Sequence, residues 1–300
     1  MAVRAKRAKR RQRAKWLLFV DTNILLDFYR LPGASATRTL AQLEKHKESL
    51  ILTDQVWMEF LKNRQKVITQ TIREFVKPVN SKTPSFLNDA QAAKTFTSHQ
   101  KKAQAQYEKV IGQIEKALRD PARHDKLFRS LSRIFSYQSS LNLKRPSKRR
   151  YAIRHLARKR FGLGYPPRKD DTLKMGDAIN WEWIIECASE SAGKENIVIV
   201  SRDGDFGTFY GKEAILNDWL RLEFKERVSR KRKIELRNTL SAALKLLDVN
   251  VSESDAKEER IVATATPETV SEGATERRLL KTILKLTFDG KKEDPPSDDE

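Results

Sequence analysis

Asn196-Ile-Val-Ile-Val-Ser201 is an unbroken apolar run, rich in β-branched residues and closed by Arg202-Asp203-Gly204-Asp205. A run this short and continuous predicts a strand buried on both faces. Strands of that kind belong to parallel sheets sandwiched between helices. Trp16–Asp21 and Ser49–Thr53 have the same character. Between them, after the break at Leu31-Pro32-Gly33, a helix is expected over roughly Ser35 to His46. Thr53 or Asp54 can cap a second, long helix that runs to about Val76 and stops at Lys77-Pro78. Strands alternating with helices define an α/β fold with a parallel central sheet covered on both faces.

The chain then changes character. Residues 89–118 are rich in Ala, Gln and Lys, with Phe96, Tyr107, Val110, Ile111 and Ile114 near helical spacing. Residues 124–141 repeat the pattern with Leu127, Leu131, Ile134 and Phe135. These two stretches predict helices, not sheet, within a helical insertion of about 80–170. Gly162, Gly164, Pro166 and Pro167 end the insertion in a loop that returns the chain to Asp177. Residues 226–250 are expected as a helical extension. Residues 251–300 are expected to be a mostly flexible tail, rich in Ser, Glu, Thr and Ala, with one short apolar element at Leu279–Phe288. Residues 1–15 are expected to form a flexible basic arm.

Charge is concentrated. The net charge is +20 over 300 residues. Residues 1–15 hold eight Lys or Arg and no acid, and residues 144–169 hold eleven and no acid. Charge localised in this way suits phosphate. Tyr151, Phe161 and Tyr165 interleave the second stretch, a pairing of cations and rings that suits single-stranded nucleic acid. The same rings could instead anchor the insertion to the core. The lone Cys187 excludes an internal disulfide, and no Cys/His spacing suits zinc. No apolar run reaches membrane-spanning length, and Trp16–Val20 is too short for a signal peptide. A cytoplasmic protein without a membrane partner is the expectation. Gly162-Leu163-Gly164 follows no strand and lacks the third glycine of a dinucleotide loop. Glu213 after Gly211-Lys212 excludes a phosphate-binding loop.

The candidate chemistry lies in the acids. In a parallel sheet, ligands bind beyond the carboxyl ends of the strands. Asp21 ends the first strand, and Asp203 and Asp205 follow the Asn196–Ser201 strand. Glu59 lies about a turn into the helix that starts at Asp54. Asp177 opens the helix carrying Ile179, Trp183 and Ile184, where the helix terminus favours a carboxylate. Carboxylates that converge without basic partners repel one another unless hard cations neutralise them. An all-oxygen set of this kind suits magnesium or manganese, and such ions can drive phosphodiester hydrolysis. Taken singly, each acid has a plainer reading: turn residues for Asp21 and Asp203-Gly204-Asp205, a surface residue for Glu59, a helix cap for Asp177. Their order along the chain is the specific signal.

Phe19-Val20-Asp21-Thr22-Asn23-Ile24-Leu25, Glu59-Phe60-Leu61-Lys62-Asn63-Arg64, Gly164-Tyr165-Pro166-Pro167 with Asp170-Asp171, Gly176-Asp177-Ala178-Ile179-Asn180-Trp181 and Ile199-Val200-Ser201-Arg202-Asp203-Gly204-Asp205-Phe206 carry a resemblance. Over roughly residues 16–225 the chain is similar to PIN-domain nucleases, and more narrowly to the larger bacterial PIN-like proteins with a long helical insertion. The resemblance implies a Rossmann-like three-layer α/β/α sandwich and a Mg2+- or Mn2+-dependent endonuclease, usually acting on single-stranded RNA. It matches Asp21, Glu59, Asp177 and Asp203 to the family's acidic quartet, Asn23 to the polar residue supporting the first acid, and Asp205 to a second candidate at the fourth position. The gap from Glu59 to Asp177 far exceeds that of the minimal toxin-type members, so their substrates do not carry over. Arg149, Arg150, Arg154, Arg158, Arg160 and Tyr165 are expected at the cleft mouth, against the nucleic acid. An endoribonuclease, in one form a toxin or defence effector restrained by a protein partner, leads. The alternatives are a nucleic-acid-binding module with a non-catalytic PIN-like body and a structure-specific DNA nuclease.

Overall fold

The computed structural model describes residues 15–167, 175–210 and 213–265. The basic arm up to residue 14, Asp170-Asp171 and the apolar element at Leu279–Phe288 lie outside the described residues. The first strand, β1 (Trp16–Val20), leads into a short helix, α1 (Thr22–Leu26), and then α2 (Gly33–Lys45). Next come β2 (Leu50–Thr53) and α3 (Asp54–Glu74), whose N-terminus is capped by the Thr53 side chain accepting from Val56 N. Four helices and one strand follow: α4 (Gln91–Arg119), α5 (Pro121–His124), α6 (Lys126–Ser136), β3 (Asn142–Leu143) and α7 (Arg149–Gly162). Then come α8 (Gly176–Glu190), β4 (Asn196–Val200), β5 (Gly207–Tyr210), β6 (Glu213–Leu216) and α9 (Asp218–Arg227). The described chain closes with β7 (Ile234–Arg237), α10 (Leu240–Leu246) and α11 (Glu253–Ala265).

The central sheet has the order β3-β2-β1-β4-β7, and every pairing in it is parallel. β1 and β4 are its middle, in register from Trp16–Asn196 to Val20–Val200. Leu18, Phe19 and all five residues of β4 are buried, as the unbroken apolar runs require. Trp181 and Trp183 of α8 are fully buried against the same core, as is Cys187. Burial drives the Cys187 thiol pKa up, so the thiol stays protonated and inert. Among the described residues no helix is long and apolar enough to cross a membrane.

Three expectations need correction. The expected insertion of about 80–170 is not wholly helical: past the segment 124–141, which is helical over Lys126–Ser136, β3 pairs with β2 through Leu52–Asn142 and Thr53–Leu143 and forms one edge of the sheet. The helices flanking it also belong to the body, since Leu131 and Ile134 of α6 and Ile153 and Ala157 of α7 lie in the main core. Residues 226–250 are not simply helical, because β7 supplies the other edge with Leu236 buried. The tail expected to be flexible from residue 251 begins with α11, held by Arg38 on Asp255 (2.6 Å) and by Glu259 accepting from Ser241 N (2.9 Å). Edge strands of two and four residues, one of them half exposed, leave little periodicity to read.

Among the described residues, α4 is the long helix that stands away from the core. None of its 29 residues is buried. Its half-buried Tyr107, Ile111, Ile114 and Leu118 fall on one face, and Tyr107 stacks on Phe75 at the end of α3, with ring centroids 5.0 Å apart. The root of this helical pair is fixed by a buried cluster. Arg64 of α3 donates to Asp125, the N-cap of α6 (2.6 Å), and to the carbonyl of Ala117 (2.8 Å), while Tyr29 also donates to Asp125 (2.6 Å).

Candidate active site

The carboxyl edge of the sheet collects the acids. Asp21 follows β1 directly and is N-cap of α1, its Oδ1 accepting from Thr22 N (2.6 Å). Its Oδ2 accepts from Ser201 Oγ (2.6 Å) and Asn23 Nδ2 (3.0 Å). Asn23, two residues on, is thus hydrogen-bonded to the Asp21 carboxylate. Ser201 is the partner that sequence reasoning missed. Lying between β4 and Asp203, its hydroxyl donates to Asp21 and also accepts from Asp203 N (3.0 Å), tying the two strand ends together. Its place at the end of the clearest strand was the available signal.

Glu59 occupies the second turn of α3. Its Oε1 accepts from Gln55 Nε2 (2.6 Å) and its Oε2 from Thr22 Oγ1 (3.1 Å), so one hydroxyl links the Asp21 and Glu59 segments. The start of α8 is pinned to the same edge because Thr53 Oγ1 donates to Asn180 Oδ1 (2.7 Å). Gly176 lets these two helices meet: a Cβ there would lie 2.4 Å from Glu59 Oε1 and 2.9 Å from Gln55 Nε2. Gly176→Ala should thus displace the Glu59 carboxylate without unfolding α8, since Ala suits a helix. Titration calorimetry should show Mn2+ affinity lower by about 10-fold or more, the scale on which groups that support metal ligands act, with the melting temperature nearly unchanged.

Asp177, in the first turn of α8, meets Asp203 and Asp205 from the loop after β4. One carboxylate oxygen from each lies within 4.8 Å of the others. All three are half-buried. The donors of this cluster are all carboxylate oxygens, the chemistry that hard divalent cations such as magnesium or manganese take, so the residues present fit such an ion. The structure brings these three together, with Asp21 and Glu59 alongside.

Asp21 is 4 % exposed. Burial above all, joined by the negative charges of Asp203 and Glu59, outweighs the Ser201 hydrogen bond and raises its pKa from 3.8 to about 6. The folded chain thus holds a proton there that the unfolded chain has lost, and stability falls as pH rises from about 4 through 6. Asp21→Asn should therefore raise stability in chelator at pH 7 by up to about 3 kcal/mol, with the gain vanishing near pH 4. Added Mn2+ should stabilise the parent more than the variant. Thermal melts across pH, with and without Mn2+, read both signs, and a lower melting temperature for the variant in chelator at pH 7 would refute the crowding.

The basic segment divides. Arg160 does not face solvent: it is 4 % exposed, donates to Glu182 Oε1 (2.7 Å), and bonds Glu223 and the Pro166 carbonyl. Its assignment to substrate phosphate is corrected here, because two carboxylates and a carbonyl already consume its donors. Arg149 bonds Glu190 and lies over the Trp183 ring, 5.9 Å from its centroid. Arg150 pairs with Asp54 (2.7 Å) and is largely covered. Arg154 and Arg158 have no ion-pair partner among the described residues. Arg158 is exposed and Arg154 half-buried. Tyr165 packs on Trp219, with centroids 4.9 Å apart, so its ring is at least partly an anchor.

A parallel α/β sheet whose carboxyl edge carries an all-carboxylate cluster is compatible with a divalent-metal site at the place where ligands bind in such sheets. The PIN domain family model matches residues 18–206, from β1 through the last acid of the cluster, and the chain belongs to the PIN domain family. PIN domains are usually metal-dependent nucleases. No curated protein and no solved structure matches the chain.

Proposed function

We propose that this protein is a Mg2+- or Mn2+-dependent endonuclease that hydrolyses phosphodiester bonds of single-stranded RNA. The observation that carries the proposal is the convergence of Asp177, Asp203 and Asp205 beside Asp21 and Glu59, at the strand ends where a PIN domain acts. Divalent ions held there would supply an activated water and offset charge on the leaving oxygen. The chain's own residues set the geometry. Ser201 and Asn23 aim Asp21, Gln55 and Thr22 aim Glu59, and the first turn of α8 brings Asp177 to Asp203 and Asp205.

A single strand is favoured by one face of α7. Tyr151, Arg154, His155 and Arg158 recur at i, i+3, i+4 and i+7, and Tyr151 is 77 % exposed. An open ring among cations stacks on a base while the cations follow the backbone. Labelled single-stranded RNA and DNA, incubated separately with Mn2+, Mg2+ or chelator, test the reading. RNA should be cut internally with either ion and with neither after chelation. Preferential cutting of DNA would replace RNA as the substrate, and no cutting of either would make the body a binding module.

A further inference from the structure

The α3 face that presents Glu59 to the acids continues past it as a row of cations. On a helix of 3.6 residues per turn, Lys62, Lys66 and Arg73 lie at i+3, i+7 and i+14 from Glu59 and stay within one narrow stripe. Gln55 and Gln70 fall in the same stripe, and Glu59 is its one carboxylate. Lys62, Lys66 and Arg73 are all exposed, and none has an ion-pair partner among the described residues. By contrast Arg64, on the opposite side of α3, is buried and committed to Asp125. At 1.5 Å per residue the three cations stand about 4.5, 10.5 and 21 Å along the helix from Glu59. They lead from the half-buried acidic site to open solvent.

We propose that this stripe is a track for the phosphates of the RNA strand leaving the cleavage site, with Lys62 meeting the nearest phosphate and Arg73 the farthest. The proposal rests on nucleic acid being the ligand of the acidic site. It adds a direction, along α3 and away from the sheet, and a set of residues outside the metal centre. Charge complementarity selects the occupant: three cations of one sign, spaced along a line that starts at a phosphodiester-cleaving centre, fit a polyanion threaded linearly. The lysines of α4 are the contrasting case. Lys94, Lys101, Lys109 and Lys116 also form a stripe, but it lies opposite the apolar face that packs toward α3 and does not run on from an acid of the site.

The test uses the full-length chain in two forms, Lys62→Gln/Lys66→Gln/Arg73→Gln and, as an equal loss of charge elsewhere, Lys94→Gln/Lys101→Gln/Lys109→Gln. RNA oligonucleotides of graded length are bound in chelator over a range of salt. The α3 variant should lose about 2 from the log–log salt slope, 0.7 for each phosphate contact, and should lose the gain in affinity with strand length. The α4 variant should keep most of both. A photo-crosslinking residue placed singly at 62, 66 and 73 should mark nucleotides successively farther from the cut, all on one side of it. Equal loss of slope in the two variants, or crosslinks without that order, would overturn the track. If the parent cuts RNA but the α3 variant keeps its slope, the track falls and the nuclease stands. If nothing is cut but the slope falls only in the α3 variant, the track stands as a binding surface and the nuclease reading falls.

Discussion

Asp177→Asn should lower the rate of metal-dependent RNA cleavage by at least roughly 100-fold, since even groups that merely support metal ligands are worth 10- to 100-fold. The physical reason is local. The Asp177 carboxylate lies within 4.8 Å of those of Asp203 and Asp205, so losing its charge removes one of three close anionic donors. The fold should be untouched, because the isosteric amide keeps the shape of the first turn of α8. Initial rates on labelled RNA, with Mn2+ binding and a thermal melt in parallel, check the prediction. A variant that cuts within twofold of the parent would show that the acids do not form the catalytic centre. Asp203→Asn should behave alike.

The second large effect is on stability, and it concerns a residue that looked functional. Arg160→Met should cost about 3–5 kcal/mol, the usual result of removing one partner from a buried ion pair. In a chain of this size that is a fall of roughly 6–20 °C in melting temperature. Glu182 is 2 % exposed and, among the described residues, would keep only Arg227, which reaches it at 2.7 Å from a more exposed position. Burial alone would raise the Glu182 pKa, but hydrogen bonds from Arg227 and Arg160 outweigh it and hold the group below its ordinary value. The stability from this cluster is therefore present above the ordinary glutamate range and is lost as pH falls through the lowered pKa. The double variant Arg160→Met/Glu182→Met should recover part of the loss, and chemical denaturation of the four-member cycle measures the coupling. If Arg160→Met melts with the parent but binds RNA less tightly, the arginine contacts substrate after all.

The sequence alone carried the middle of the fold. β1, β2 and β4 are local events, runs of apolar residues that cannot avoid burial, and an acid stands directly after β1 and three residues past the end of β4. Because strand ends in a parallel sheet share an edge, the same pattern also announced that Asp21 and Asp203 would be neighbours. The start of α8 placed Asp177 there in turn. The features that escaped the sequence depend on distant partners. β3 is two residues long and exists because the edge of β2 offers it hydrogen bonds; β7 is a strand because β4 lies beside it. Gly176 is one glycine among eleven until α3 brings Glu59 to within reach of its missing Cβ. Arg158 and Arg160 are two residues apart in one basic run, yet one faces solvent and the other is sealed between Glu182 and Glu223. A charge run shows how much positive charge is present. Which cations remain for a ligand is set by the carboxylates that the fold carries to them, and those lie 22 and 63 residues away along the chain.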